Sequence, residues 1–129
     1  AARYQQEGLI DSDSITESII LSPTETIDEI KLSLDRSTAK FAERLPEEAV
    51  DIVLNTYLQL FEGLEGDLIA RDADLVEDLE KDFNVTLPQA LQSNSSLQDI
   101  RSVVDVMKTK LDQSKSILGT IESNRRDVF

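Results

Sequence analysis

The chain has no cysteine, no histidine and no tryptophan, and only one methionine, three prolines and four glycines in 129 residues. Without cysteine there is no disulfide frame, no thiol nucleophile and no thiolate metal site. Without histidine there is no Ser-His-Asp triad, no Cys-His dyad, no typical zinc site and no Glu-x-x-His di-iron motif. The usual charge switch between about pH 5 and 8 is also missing. The charge pattern is therefore expected to hold in a mildly acidic compartment, unless carboxylates with raised pKa intervene. Glycines are too few and too scattered for a phosphate-cradling loop. Cations are scarce: 13 Lys and Arg face 26 Asp and Glu, a formal charge of −13. A nucleic-acid binder needs a basic footprint, so that class is excluded. The most apolar stretch, Ala49 to Phe61, contains Asp51, Asn55, Thr56 and Gln59. It falls short of the roughly 20 apolar residues a membrane span needs.

Helical periodicity fills most of the chain. Residues 1 to 22 read as an arm with a capping box at Ser14–Glu17 and a short helix from Ile15 to about Leu21. Ser22-Pro23-Thr24-Glu25 is a stronger helix start, with Pro23 where its missing N–H costs nothing. Ile27, Ile30, Leu34, Phe41 and Leu45 then predict an amphipathic helix from Pro23 to about Arg44, ended by Pro46. Pro46-Glu47-Glu48 opens the next helix, whose apolar set runs from Val50 to Leu64. Gly63 and Gly66 predict a break, since two glycines cost about 2 kcal/mol of helix stability relative to alanine. The rival reading is one bent helix, because the steps of three and four continue through both glycines to Leu68, Leu75 and Leu79. With the break, a third helix starts at Asp67. Asn84 to Ser95 reads as a loop, with at most one helical turn over Gln89 to Gln92. Leu97, Ile100, Val104, Met107, Leu111, Ser114, Leu118 and Ile121 predict a last helix from about Ser96 to Asn124. The expected fold is all-α: an up-down-up-down four-helix bundle over residues 23–126, preceded by the arm and followed by a tail at 127–129.

Carboxylates are the one abundant reactive group. Asp72-Ala73-Asp74 begins like a calcium loop, but Val76 and Glu77 stand where an oxygen ligand and a glycine belong. Asp11-Ser12-Asp13 fails in the same way at Ile15. No metal or cofactor site is expected. Glu77, Asp78, Glu80 and Asp82 read as a solvated acidic face opposite the apolar stripe; Asp72 falls on that stripe, either paired with a base from a neighbouring helix or placed there by drift of the stripe. Ser37, Ser114 and Lys115 lie near core faces without a supporting catalytic motif, so no catalytic residues are assigned. Two acceptor patterns for N-glycosylation, at Asn84 and Asn94, are expected by chance in a Ser/Thr-rich chain.

The charge is unevenly spread. Residues 1–96 carry 7 basic and 21 acidic side chains, whereas residues 97–129 carry 6 and 5. Two readings follow. Basic residues of the last helix neutralise acidic neighbours, or they form a docking patch for a larger acidic partner. Arg36, Lys40 and Arg44 make a second basic row, at steps of four.

With its Ala1-Ala2 start, like that of a mature lumenal protein cleaved after small residues, its four-helix order, its helix-opening Pro23 and Pro46 and its lack of cysteine, the chain resembles the PsbQ-like extrinsic subunits of photosystem II, in particular the small diatom type. Higher-plant members are basic, whereas this chain is acidic. The resemblance implies a non-catalytic protein without cofactors in the chloroplast thylakoid lumen. It would be peripheral to the membrane and monomeric when free. Its partners would be the intrinsic and other extrinsic subunits of the photosystem, and it would help retain calcium and chloride at the manganese cluster. It also implies docking through Lys108, Lys110, Lys115, Arg125 and Arg126. The alternatives are a ligand-sensing ectodomain of a membrane receptor, in another extracytoplasmic space, and an acidic helical adaptor with an exposed apolar groove.

Overall fold

A computed structural model describes residues 20–127 of the chain. The expected arm and the short helix from Ile15 lie outside the described residues, apart from its last two positions. Among the described residues the fold is all-α, with four helical runs and no strand. The first, α1, spans Pro23–Ala42. The second, α2, covers 46–69 and the third, α3, covers 73–92. The last, α4, spans Leu97–Asp127.

Local chemistry sets the ends. Ser22 Oγ accepts from the Glu25 amide at 3.2 Å and Glu25 Oε1 accepts from the Ser22 amide at 2.9 Å, the reciprocal box expected at this start. Ser96 and Asp99 repeat that exchange ahead of α4, at 3.0 and 3.3 Å. The C-terminus of α1 closes as a Schellman motif. The Leu45 amide donates to the Lys40 carbonyl at 2.9 Å and the Arg44 amide to the Phe41 carbonyl at 2.9 Å. Arg44 there holds φ +67°, the left-handed region that glycine occupies without steric cost. Arg44→Gly is therefore expected to raise the unfolding free energy by about 1 kcal/mol in urea titrations. A loss of stability would contradict this reading.

Two expected breaks are absent. The helix does not stop at Gly63 and Gly66. It passes through them as a π segment, Tyr57–Phe61, a 3-10 turn, Glu62–Leu64, and an α turn, Glu65–Ile69. The chain turns later, at 70–72. Nor is most of Asn84 to Ser95 a loop: α3 continues through Ala73–Lys81, a π segment at Asp82–Thr86, and Leu87–Gln92, and only 93–96 form the connection to α4. One cause accounts for both. Val53, Tyr57 and Phe61, and likewise Leu79, Phe83, Leu87 and Leu91, are buried residues at successive steps of four. An α-helix has 3.6 residues per turn, so such a run drifts off its face. A π turn, with i to i+5 bonding, absorbs the surplus and keeps the stripe on the core. The second π segment also precedes Pro88, whose ring would crowd the carbonyl four residues back in a regular helix. Burial of Leu64 and Leu68 outweighs the propensity cost of the two glycines.

Asp72 is exposed and has a role that neither pairing nor drift of the stripe describes. It caps Ala73–Lys81, with its side chain accepting from the Leu75 amide at 3.1 Å. All four runs contribute to one core, with Ile27, Ile30, Phe61, Phe83, Leu87, Ile100, Met107 and Leu111 fully buried. Both α1 and α3 pack against α2 and α4. Partners on the α1–α4 seam descend on α4 as they rise on α1: Thr24 with Glu122, Asp28 with Lys115, Lys31 with Asp112, Asp35 with Lys108. These two helices are antiparallel.

Candidate functional site

The basic residues singled out on α4 do not share one face. Lys108 and Lys115 point to α1, where they meet Asp35 and, at 2.8 Å, Asp28. The hydrogen bond to Asp28 raises the pKa of the Lys115 amine, which therefore stays a cation rather than a base. Lys110 points to α3 and meets Asp82 at 2.7 Å. Arg125 reaches Asp67 of α2 at 3.6 Å. Arg126 lies in the last turn of α4. In the second basic row, Arg36 pairs with Glu29 at 3.2 Å and Lys40 with Glu48 at 3.4 Å, while Arg44 occupies the α1 C-terminal turn. The buried hydroxyls are also committed. Ser37 Oγ donates to the Ala49 carbonyl at 2.8 Å, and Ser114 Oγ to the Lys110 carbonyl at 3.1 Å.

The most unusual geometry lies where the two π segments meet. Tyr57 and Phe61 come from one and Phe83 from the other. Their ring centroids are 5.5 to 6.1 Å apart, with Phe61 stacked on Phe83. π-bulges inside α-helices recur at functional sites, which directs attention to the polar groups around them.

Two such groups stand out. Glu80 and Asp82 were expected on a solvated face, and neither is there. Asp82 is buried in the π segment and Glu80 is half-buried. Asp82 falls seven residues after Leu75 and three after Leu79, and Glu80 four after Val76, so both belong to the edge of the apolar stripe. Asp82 is neutralised by Lys110 across the interface.

Glu80 forms part of a second cluster. Tyr57 Oη donates to Glu65 Oε2 at 2.9 Å and lies 3.3 Å from Glu80 Oε2. The phenol thus brings Glu65 of α2 and Glu80 of α3 together on one oxygen. Burial, the neighbouring Glu80 carboxyl, and the charges of Glu80 and Glu62 raise the Glu65 pKa to about 7, against a smaller lowering by the Tyr57 hydrogen bond. Burial and both carboxylates also push the Tyr57 phenol up, so it remains a donor at neutral pH. This arrangement can hold and release one proton near neutrality, in a chain that has no histidine to do so.

Among the described residues no group of three or more acidic side chains is placed to hold a metal ion. None of the described helices is long and apolar enough to cross a membrane. No family model, no curated protein and no solved structure matches this chain.

Proposed function

We propose that the chain is a non-catalytic extrinsic subunit that docks on the lumenal face of photosystem II. There it stabilises oxygen evolution by helping to retain calcium and chloride at the manganese cluster. In this reading it is an up-down-up-down four-helix bundle, monomeric when free and peripheral to the thylakoid membrane. The observation that carries the docking is the α1–α4 seam. Asp28–Lys115, Lys31–Asp112 and Asp35–Lys108 form a ladder of ion pairs along it, with each carboxylate more than half exposed. Exposed pairs of this kind contribute only about 0–1 kcal/mol each. Carboxylates of an acidic partner can therefore take the place of Asp28 and Asp35 on the two lysines at little net cost. The ladder masks the cations in the free protein and offers them at an acidic surface.

Reconstitution onto salt-washed photosystem II membranes tests this. Lys108→Gln with Lys115→Gln is expected to weaken rebinding about tenfold at low salt and to flatten its salt dependence. Lys110 is left intact in that variant because it neutralises the buried Asp82. Failure of the unaltered chain to rebind or to restore oxygen evolution would remove the photosystem from the account. Unchanged rebinding of the double variant would remove the seam.

A further inference from the structure

Counting hydrogens around Tyr57 shows that one is missing from a fully ionised site. The phenol supplies a single hydrogen to two carboxyl groups, at 2.9 and 3.3 Å. With that hydrogen on the shorter contact, the second, at 3.3 Å, needs another. Two ionised carboxylates gathered on one phenol oxygen repel, so the pair holds one proton. The charges that act on Glu65 are those of Glu80 and Glu62, both of which favour the protonated form. Tyr57 and Glu62 come from the same run as Glu65, and Glu80 comes from α3. The cations that α4 sends towards these two runs, Lys110 and Arg125, are engaged by Asp82 and Asp67. The charged groups of α1 pair elsewhere: Asp28, Lys31 and Asp35 with α4, Lys40 with Glu48, and Arg36 with Glu29 of α1 itself.

What the proton holds together follows from the backbone. Glu65 begins the single α turn Glu65–Ile69, which follows a 3-10 turn and a π segment. Gly63 and Gly66 sit in this stretch with open space where a side chain would be. The stretch therefore departs from regular α-helical bonding and makes no side-chain contact at two of its positions. The stretch is secured by Leu64 and Leu68 in the core, by the Asp67–Arg125 pair to α4, and by the Glu65–Tyr57–Glu80 bridge to α3. The same turn supplies Gly66 and Asp67 to a hollow of about 330 Å³ that Ile121 and Arg125 of α4 also line, with the Asp67–Arg125 pair at its edge.

We propose that Glu65, Glu80 and Tyr57 form a proton-operated latch. With the proton in place the 65–69 turn is fastened to α3. When it leaves, repulsion between the two carboxylates frees the turn and reshapes the hollow that the turn lines with α4. The latch does not depend on the identity of the docking partner.

Amide hydrogen exchange on the full chain by NMR tests it. After correction for the intrinsic rate, protection at 63–72 is expected to fall about tenfold between about pH 6 and pH 8, while protection in α1 stays constant. Glu65→Gln keeps the hydrogen bond without a titratable group, and should hold protection at its low-pH value throughout. Glu80→Gln removes the opposing charge and should also abolish the fall, which keeps the test available if the first variant fails to fold. Equal protection at both pH values in the unaltered chain would overturn the latch. So would a fall in Glu65→Gln as large as in the parent.

Discussion

Replacing Phe83 by alanine is expected to lower the unfolding free energy by about 3–5 kcal/mol, read as a drop in the urea midpoint at unchanged slope. Phe83 is fully buried, and its ring lies 5.5 Å from Phe61 and 5.9 Å from Tyr57. Each aromatic pair contributes about 0.5–1.5 kcal/mol beyond its buried area. Deleting this ring removes two such pairs and leaves a cavity between two π segments, whose backbone is already fitted to the ring's position. Domains of this size are stable by only about 5–15 kcal/mol, so the change takes a large fraction of the total. A loss below about 1.5 kcal/mol would mean that the π segments close over the gap, and that the aromatic cluster does not determine their register.

The second large effect is expected at Lys110. Its partner Asp82 has a side chain only 12% exposed, whereas the Asp35 partner of Lys108 is 56% exposed. Lys110→Met strands a nearly dry carboxylate and should cost about 2 kcal/mol, less than the full cost of breaking a completely buried pair. Lys108→Met should cost well under 1 kcal/mol, because its pair is solvated. Adding Asp82→Asn to Lys110→Met is expected to recover more than half of the loss, since the penalty comes from the unpaired charge. If the two lysine variants are equally destabilised, burial of Asp82 is not what distinguishes them. The contrast also bears on docking: Lys108 and Lys115 can exchange partners, whereas Lys110 is tied to the fold.

Much of the fold is legible in the residues where two signals coincide. At α1 the Ser22-to-Glu25 box, Pro23 and the apolar periodicity all agree, and at α4 the long stripe from Leu97 to Ile121 has no competitor. Reading fails where signals conflict. At Gly63 and Gly66 a local propensity cost opposes the continuing stripe, and burial of Leu64 and Leu68 wins. In α3, Asn84 and Pro88 look like loop residues, yet Leu79, Phe83, Leu87 and Leu91 at steps of four mark a buried helix with a π segment. The proton site was less accessible still. Asp82 can be placed by its seven-residue spacing from Leu75. Nothing in the periodicity brings Glu65 to Glu80, because that contact depends on the π segments and on the turn falling at 70–72. The absence of histidine suggested a charge pattern indifferent to mild acid, and Glu65 is the exception to it.

The central claim is that a carboxyl pair between α2 and α3 shares one proton near neutral pH. Its most direct test is a titration of the Glu65 side-chain carboxyl carbon by ¹³C NMR on the full chain, assigned through Glu65→Gln. The account predicts a midpoint near 7, shifted towards the ordinary value in Glu80→Gln. A Glu65 midpoint near 4.5 in the unaltered chain would contradict it.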